Sequence, residues 1–94
     1  MKGIDIIYTS HAVKQMFQRN ISVIEVETIL QIGEIIMEYQ EDKPFPSKLQ
    51  LATINLRPLH LVSSFDFEEQ KTIIITVYEP SLERWEKDFK TRKK

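Results

Sequence analysis

The chain has 94 residues, 41% of them hydrophobic, which fits one packed domain and excludes wholesale disorder. It contains no cysteine, which excludes a disulfide scaffold, a thiolate zinc site and a cysteine nucleophile. The formal net charge of −1 excludes a uniformly basic nucleic-acid-binding domain and leaves room for a local basic patch. Because no export signal or membrane-spanning stretch is apparent, we expect a cytoplasmic protein with no membrane contact.

The chain opens with a predicted short strand at residues 4–8, followed by a first helix. Thr9 or Ser10 is suited to cap this helix, because a hydroxyl can accept a hydrogen bond from the first turn. Asn20 is predicted to end it. The apolar stripe predicted for the buried face consists of Ala12, Val13, Met16 and Phe17.

A second helix is indicated by a capping box, in which Ser22 caps the amide of Glu25 and Glu25 reaches back. Gly33 is a favourable residue to stop this helix. The buried stripe predicted for it consists of Val23, Val26, Ile29 and Leu30.

From residue 34 onward the hydrophobic period changes from 3.6 to 2, which predicts strands. Four strands are predicted, at residues 34–40, 48–55, 59–66 and 71–79. The last strand is apolar on both faces and is predicted to be central. After Pro80 we expect either a short helix around Trp85 or a basic tail.

The predicted order β-α-α-β-β-β-β indicates an α+β fold with two helices packed on one face of a mainly antiparallel sheet of four to five strands. We expect a single domain over residues 1–94, with a folded core at 1–83 and a basic C-terminal segment at 84–94. That segment carries a net charge of +4, whereas the rest of the chain carries −5. Its basic side chains could hold an RNA backbone, or it could be a solvated end whose aromatic residues pack on the sheet. The candidate nucleic-acid ligands in it are Arg84, Lys90 and Arg92.

Two histidines are candidates for acid–base or phosphate chemistry. His60 lies on the open face of the sheet if its strand neighbours face the helices, where Tyr78 could share a proton with it; it could also be an ordinary half-buried strand histidine. His11 lies on the same face of the first helix as Arg19, and the pair could bind phosphate near the start of the helix. Alternatively, His11 is a capping-region residue bonded to backbone. The spacing of the histidines predicts no metal site, and no cofactor is expected.

Several segments together carry a resemblance to a known family, namely residues 10–12, 19–22, 33–36, 42–47, 57–60, 76–80 and 85–92. They resemble the bacterial domain-of-unknown-function family DUF4258. The order of elements is also similar to that of the RelE/ParE toxin superfamily.

The resemblance to RelE-like toxins implies an endoribonuclease that cleaves RNA by metal-free 2′-hydroxyl transesterification. His60 and Tyr78 would then be the acid/base pair, and Arg57 would bind the phosphate. The implied partners are RNA or the ribosome and a cognate antitoxin protein. The alternative is a non-catalytic module that binds protein or nucleic acid.

Overall fold

A computed structural model describes residues 5–94, so residue 4, at the start of the predicted first strand, lies outside the described part. The elements are β1 (Asp5–Tyr8), α1 (Ser10–Arg19), α2 (Val23–Ile32), β2 (Glu34–Tyr39), β3 (Ser47–Ile54), β4 (Arg57–Asp66) and β5 (Lys71–Tyr78). Their order confirms the predicted β-α-α-β-β-β-β sequence of elements.

The five strands form one sheet in the order β1-β5-β4-β3-β2. β1 pairs with β5 in parallel, and the other three pairs are antiparallel. The predicted central position of β5 is confirmed, since it lies between β1 and β4. The fold is therefore α+β, with a mostly antiparallel sheet.

α1 begins and ends as predicted, but its buried face is narrower than predicted. The Thr9 side chain accepts a hydrogen bond from the Ala12 amide, and Asn20 ends the helix in the left-handed region with φ 55°. Ala12 and Met16 are buried, whereas Val13 and Phe17 are exposed, so the prediction was wrong for the latter two. The reason is that α1 packs on β5 near one side of the sheet, which covers only one stripe of side chains.

α2 carries the predicted capping box, with the Ser22 and Glu25 side chains each accepting a hydrogen bond from the other's backbone. Val26 and Ile29 are buried, but Val23 is exposed, contrary to prediction. Gly33 follows the helix with an extended backbone. A Cβ there would lie 2.5 Å from the Ile29 carbonyl oxygen, so glycine is required by close approach.

The core lies between the two helices and the sheet. At its edge the amide of Gln50 on β3 donates hydrogen bonds to the carbonyls of Ile29 and Gly33, which helps to satisfy the open end of α2. The buried apolar residues in this cluster are Ala12, Met16, Ile21, Val26, Ile29, Ala52, Leu59, Leu61, Ile74 and Val77.

β4 begins two residues before the predicted start, because the connection to β3 is a two-residue turn. Asn55 and Leu56 both have positive φ, 53° and 69°, as the tightest hairpin turns require. Pro58 lies inside the strand opposite Thr53, next to the Ile54–Arg57 pair that closes the turn. We infer that its missing N–H costs little, because alternate antiparallel pairs exchange no backbone hydrogen bonds.

The C-terminal segment folds back as a small hairpin, defined here as residues 84–93. Trp85 and Arg92 form an isolated antiparallel bridge, and backbone hydrogen bonds join Glu86 to Thr91 and Lys93 to Arg84. The predicted short helix around Trp85 is therefore absent, since these hydrogen bonds cross the hairpin. Trp85 is only 4% exposed, so this segment packs on the sheet.

Candidate functional site

His60 and Tyr78 lie side by side on the face of the sheet opposite the helices. They are Cα partners in the register of β4 and β5, and Nδ1 of His60 is 3.2 Å from the Tyr78 hydroxyl. Leu59 and Leu61, on either side of His60 in sequence, belong to the core under the helices. Because side chains alternate along a strand, His60 points the other way.

This face is covered by the C-terminal hairpin and is not open as expected. The His60 ring is fully buried and meets the Trp85 ring edge-on, with centroids 4.5 Å apart. Its Nε2 lies 2.7 Å from the backbone carbonyl oxygen of Phe89. The C-terminal segment was predicted either to hold RNA or to pack its aromatic residues on the sheet. In the structure Trp85 packs on the sheet.

The contacts of His60 assign the proton on its ring. A carbonyl oxygen only accepts, so Nε2 carries the hydrogen that is donated to Phe89. Burial lowers the pKa of His60, which keeps the ring neutral near pH 7. Nδ1 is then an acceptor, and the Tyr78 hydroxyl donates to it.

Tyr78 is half-buried and connects His60 to a cleft at the surface. Burial raises the pKa of its phenol, with the nearby charge of Arg92 acting in the opposite direction. The phenol is therefore protonated at neutral pH and able to donate to His60. Tyr78 is also one of the residues that line this cleft.

We name this cleft, between the second half of α1 and the C-terminal hairpin, the arginine cleft. Its volume is about 470 Å³. Three of the four arginines in the chain line it. The lining residues are Gln15, Arg19, Tyr78, Glu79, Pro80, Ser81, Arg84, Trp85 and Arg92.

The arginine cleft carries a surplus of positive charge. The side chains of Arg19, Arg84 and Arg92 are exposed, and none forms an ion pair with a residue in the described part of the chain. Glu79 is the one carboxylate among the lining residues. Arg92 lies over the Trp85 ring, 5.4 Å from its centre, which fixes one edge of the cleft.

Arg57, a predicted phosphate ligand, is not part of this cleft. Its guanidinium donates hydrogen bonds to the carbonyls of Arg19 and Asn20 at the end of α1. It also pairs with the Glu25 carboxylate at 3.0 Å. The structure thus places Arg57 among helix ends on the other side of the sheet from His60 and Tyr78.

Two further predicted phosphate ligands are engaged outside the arginine cleft. The ammonium group of Lys90 lies 2.9 Å from the Glu34 carboxylate, which connects the hairpin to β2. His11 lies 3.1 Å from the hydroxyl of Thr76 through its Nε2 atom, which corresponds neither to the phosphate role nor to a backbone hydrogen bond. The cleft therefore unites Arg19, Arg84 and Arg92 without these two.

A family model for a domain of unknown function, DUF4258, matches residues 8–79. The chain belongs to the DUF4258 family. No curated protein and no solved structure matches it. The DUF4258 match includes Arg19 and Tyr78 and ends before Arg84 and Arg92, so one wall of the arginine cleft lies beyond the matched region.

A larger cavity of about 710 Å³, between α2 and the uncovered end of the sheet, was not foreseen from the sequence. Its wall mixes apolar side chains such as Leu30 and Phe65 with Glu27, Glu38 and Lys48, so it lacks the surplus of positive charge that the arginine cleft carries. Only the spatial arrangement of α2 over the sheet creates it. Over residues 5–94 there is no cluster of metal-ligating side chains and no helix able to cross a membrane.

Proposed function

We propose that this DUF4258 domain binds RNA through the phosphate backbone, in the arginine cleft. The observation that carries the proposal is the convergence of Arg19, Arg84 and Arg92 on one cleft, each without an ion-pair partner among residues 5–94. Arginine presents planar donors that match two phosphate oxygens at once. The cleft volume of about 470 Å³ is within the range of small-ligand sites, so one or two nucleotides fit.

The expected mode of binding is electrostatic and largely independent of base sequence. Trp85 is buried against His60 and covered by Arg92, so it does not offer a free face for stacking a base. Contacts made by guanidinium groups to phosphates carry no base information. RNA is favoured over DNA by the similarity in element order to the RelE/ParE superfamily, and a cytoplasmic location is part of the same proposal. The ribosome and a cognate antitoxin stay predictions from that resemblance.

The test is binding of a fluorescently labelled single-stranded RNA, followed by anisotropy over a series of salt concentrations. Each of the variants Arg19→Gln and Arg84→Gln should weaken binding for all sequences and reduce the salt slope by about one phosphate contact. Lys14→Gln, on the same helix as Arg19, and Lys87→Gln, in the same hairpin as Arg84, are charge-matched controls outside the cleft lining.

Equal losses in the cleft variants and the matched lysine variants would show that net charge, not the cleft, attracts RNA. The absence of any salt-dependent binding by the wild-type domain would reject the proposal. A DNA strand of the same sequence, measured in parallel, shows whether the ribose contributes.

A second candidate function, endoribonuclease activity, is favoured by the hydrogen bond between Tyr78 and His60 at the wall of the cleft. In this scheme the Tyr78 oxygen takes the proton of a ribose 2′-hydroxyl while its own proton passes to Nδ1 of His60. The 2′-oxygen bonds to the adjacent phosphorus, the bond to the 5′-oxygen breaks, and the proton returns through Tyr78 to that leaving oxygen. The cleft arginines, rather than Arg57, would stabilise the charge on the phosphorane.

This second candidate predicts RNA fragments that end in a 2′,3′-cyclic phosphate, formed without added metal ion. Tyr78→Phe should abolish cleavage while RNA binding persists, since the phenyl ring preserves the packing. Undiminished cleavage by Tyr78→Phe would rule out this mechanism. If the wild type leaves RNA intact both with and without ribosomes, nuclease activity is rejected and only the RNA-binding proposal stands.

A further inference from the structure

We propose that His60 is a positioning residue for the arginine cleft, since its neutral imidazole docks the C-terminal hairpin that carries Arg84 and Arg92. The predicted effect on RNA affinity rests on the proposed function, whereas the docking of the hairpin rests on its contacts with His60 alone. Both ring nitrogens of His60 are engaged, one by Phe89 and the other by Tyr78.

His60 is the most buried polar connection between the hairpin and the sheet. Its hydrogen bond to the Phe89 carbonyl is 2.7 Å long, its ring is buried, and Trp85 packs on the same ring with the centroids 4.5 Å apart. Among residues 5–94 the other polar connection is the pair of Lys90 with Glu34, which is exposed to solvent and therefore weak. The docked position of the hairpin thus depends chiefly on His60 and Trp85.

The position of the hairpin decides whether the arginine cleft exists. Arg84 precedes Trp85 in the hairpin and Arg92 is the bridge partner of Trp85, whereas Arg19 belongs to α1. If the hairpin leaves the sheet, two of the three guanidinium groups separate from the third. A ligand bridging the two walls then loses about two phosphate contacts, which lowers both the affinity and the salt slope.

Protonation of His60 opposes docking. The ring contacts Tyr78 from β5 and Trp85 and Phe89 from the hairpin, and Leu51 lies opposite it on β3. Arg92 lies over Trp85, and the Glu34 carboxylate, opposite Leu51 on β2, is paired with Lys90. None of the groups in contact with the ring is a carboxylate, so a buried imidazolium would have no counter-ion beside it.

The direction of the pH effect follows from the lowered pKa of docked His60. The released hairpin exposes the ring and returns its pKa towards the ordinary value near 6.5. The released state therefore binds more protons, and docking weakens as the pH falls below about 6.5. Phosphodiesters do not titrate in this range, so the ligand contributes no competing step.

The first test uses Trp85, which is the only tryptophan in the chain and so reports on the hairpin directly. Quenching of its fluorescence by acrylamide, in the absence of RNA, should increase between pH 7.5 and pH 5 while the far-UV circular dichroism of the helices stays constant. His11→Gln removes the other histidine and should show the same transition as the wild type. A flat quenching profile over this range would overturn the proposal.

Substitution of His60 separates its hydrogen bond from its titration. His60→Gln keeps a donor for Phe89 and does not titrate, so RNA affinity and Trp85 protection should become independent of pH between 5 and 7.5. His60→Leu removes the donor, so Trp85 should be accessible to acrylamide at all pH values. Equal protection of Trp85 in His60→Leu and wild type would contradict a positioning role.

Two outcomes distinguish this inference from the proposed function. A pH-dependent release of Trp85 without any RNA binding would reject the function and keep the positioning role of His60. RNA binding that does not change when Trp85 is released would keep the proposed function and reject the positioning role of His60. If the His60 variants do not fold, the ring ¹⁵N resonances of wild-type His60 test the inference. They should show the Nε2–H tautomer at pH 7.5, and the ring should become protonated over the same pH range in which Trp85 becomes exposed. Any other tautomer, or protonation without Trp85 exposure, would contradict the inference.

Discussion

Arg57 and Glu25 form an ion pair of 3.0 Å that joins the start of β4 to the first turn of α2. The same guanidinium donates to the carbonyls of Arg19 and Asn20, where α1 ends. One side chain from the sheet therefore satisfies the end of one helix and the capping carboxylate of the next. It therefore joins the end of α1, the first turn of α2 and the start of β4.

We expect Arg57→Met to lower the free energy of unfolding by about 1 to 2 kcal/mol, because hydrogen bonds to charged groups are lost at a partly screened site. Arg84→Met, which removes an exposed arginine with no ion pair to any residue from 5 to 94, should change stability by less than about 0.5 kcal/mol. Urea denaturation followed by circular dichroism measures both. Equal stabilities of the two variants would mean that the ion pair adds nothing to the fold.

The capping box gives the stability a dependence on acid pH. The backbone N–H of Ser22, together with Arg57, holds the pKa of Glu25 below its usual value of 4.5. A carboxyl group with a lowered folded pKa contributes stability above its unfolded pKa, and this is lost as the pH falls through the folded value. Glu25→Gln should flatten the fall in unfolding free energy below pH 4.5, measured by denaturant titration; an unchanged slope would assign the fall to other carboxylates.

Adjacent residues of α1 should respond very differently to truncation. Met16 is buried in the core, so Met16→Ala should cost about 2 kcal/mol or more. Phe17 is 89% exposed, so Phe17→Ala should change the unfolding free energy by less than about 0.5 kcal/mol. Thermal and chemical denaturation of the two variants measure these changes. A large loss of unfolding free energy for Phe17→Ala would show that Phe17 is buried in solution, either against another molecule or in another conformation.

A methyl group at Gly33 should destabilise the junction of α2 and β2. Because its Cβ would lie 2.5 Å from the Ile29 carbonyl oxygen, Gly33→Ala should cost about 1 to 3 kcal/mol through displacement of the backbone. Asn20→Gly is the matched comparison, since φ 55° at that position already suits glycine and the loss should be small. The same denaturation experiment measures both, and a neutral Gly33→Ala would show that the junction relaxes easily.

Local signals in the sequence predicted the elements well, because their partners lie a few residues away. The Ser22–Glu25 capping box and the stop at Gly33 are examples of interactions within one turn of helix. The exposed side of α1 was predicted poorly, since Ala12–Met16 and Val13–Phe17 have the same spacing and only the position of the sheet selects one pair.

The sequence predicted that His60 and Tyr78 lie together, but not what covers them. The neighbouring positions of His60 and Tyr78 follow from strand alternation and hairpin pairing, which the sequence pattern indicates. The burial of His60 depends on Trp85 and Phe89, which fold back from far along the chain, and no periodic pattern signals that return. The contacts of Arg57 could not be predicted for the same reason, as its partners precede it by more than thirty residues.

The arginine cleft is built from segments that lie far apart in the chain. Arg19 and Tyr78 lie inside the region that the DUF4258 model matches, whereas Arg84 and Arg92 follow it. These side chains come together only in the folded chain, because Trp85 returns the hairpin to the sheet. A peptide of residues 84–93 alone would therefore carry two of the guanidinium groups without forming the cleft.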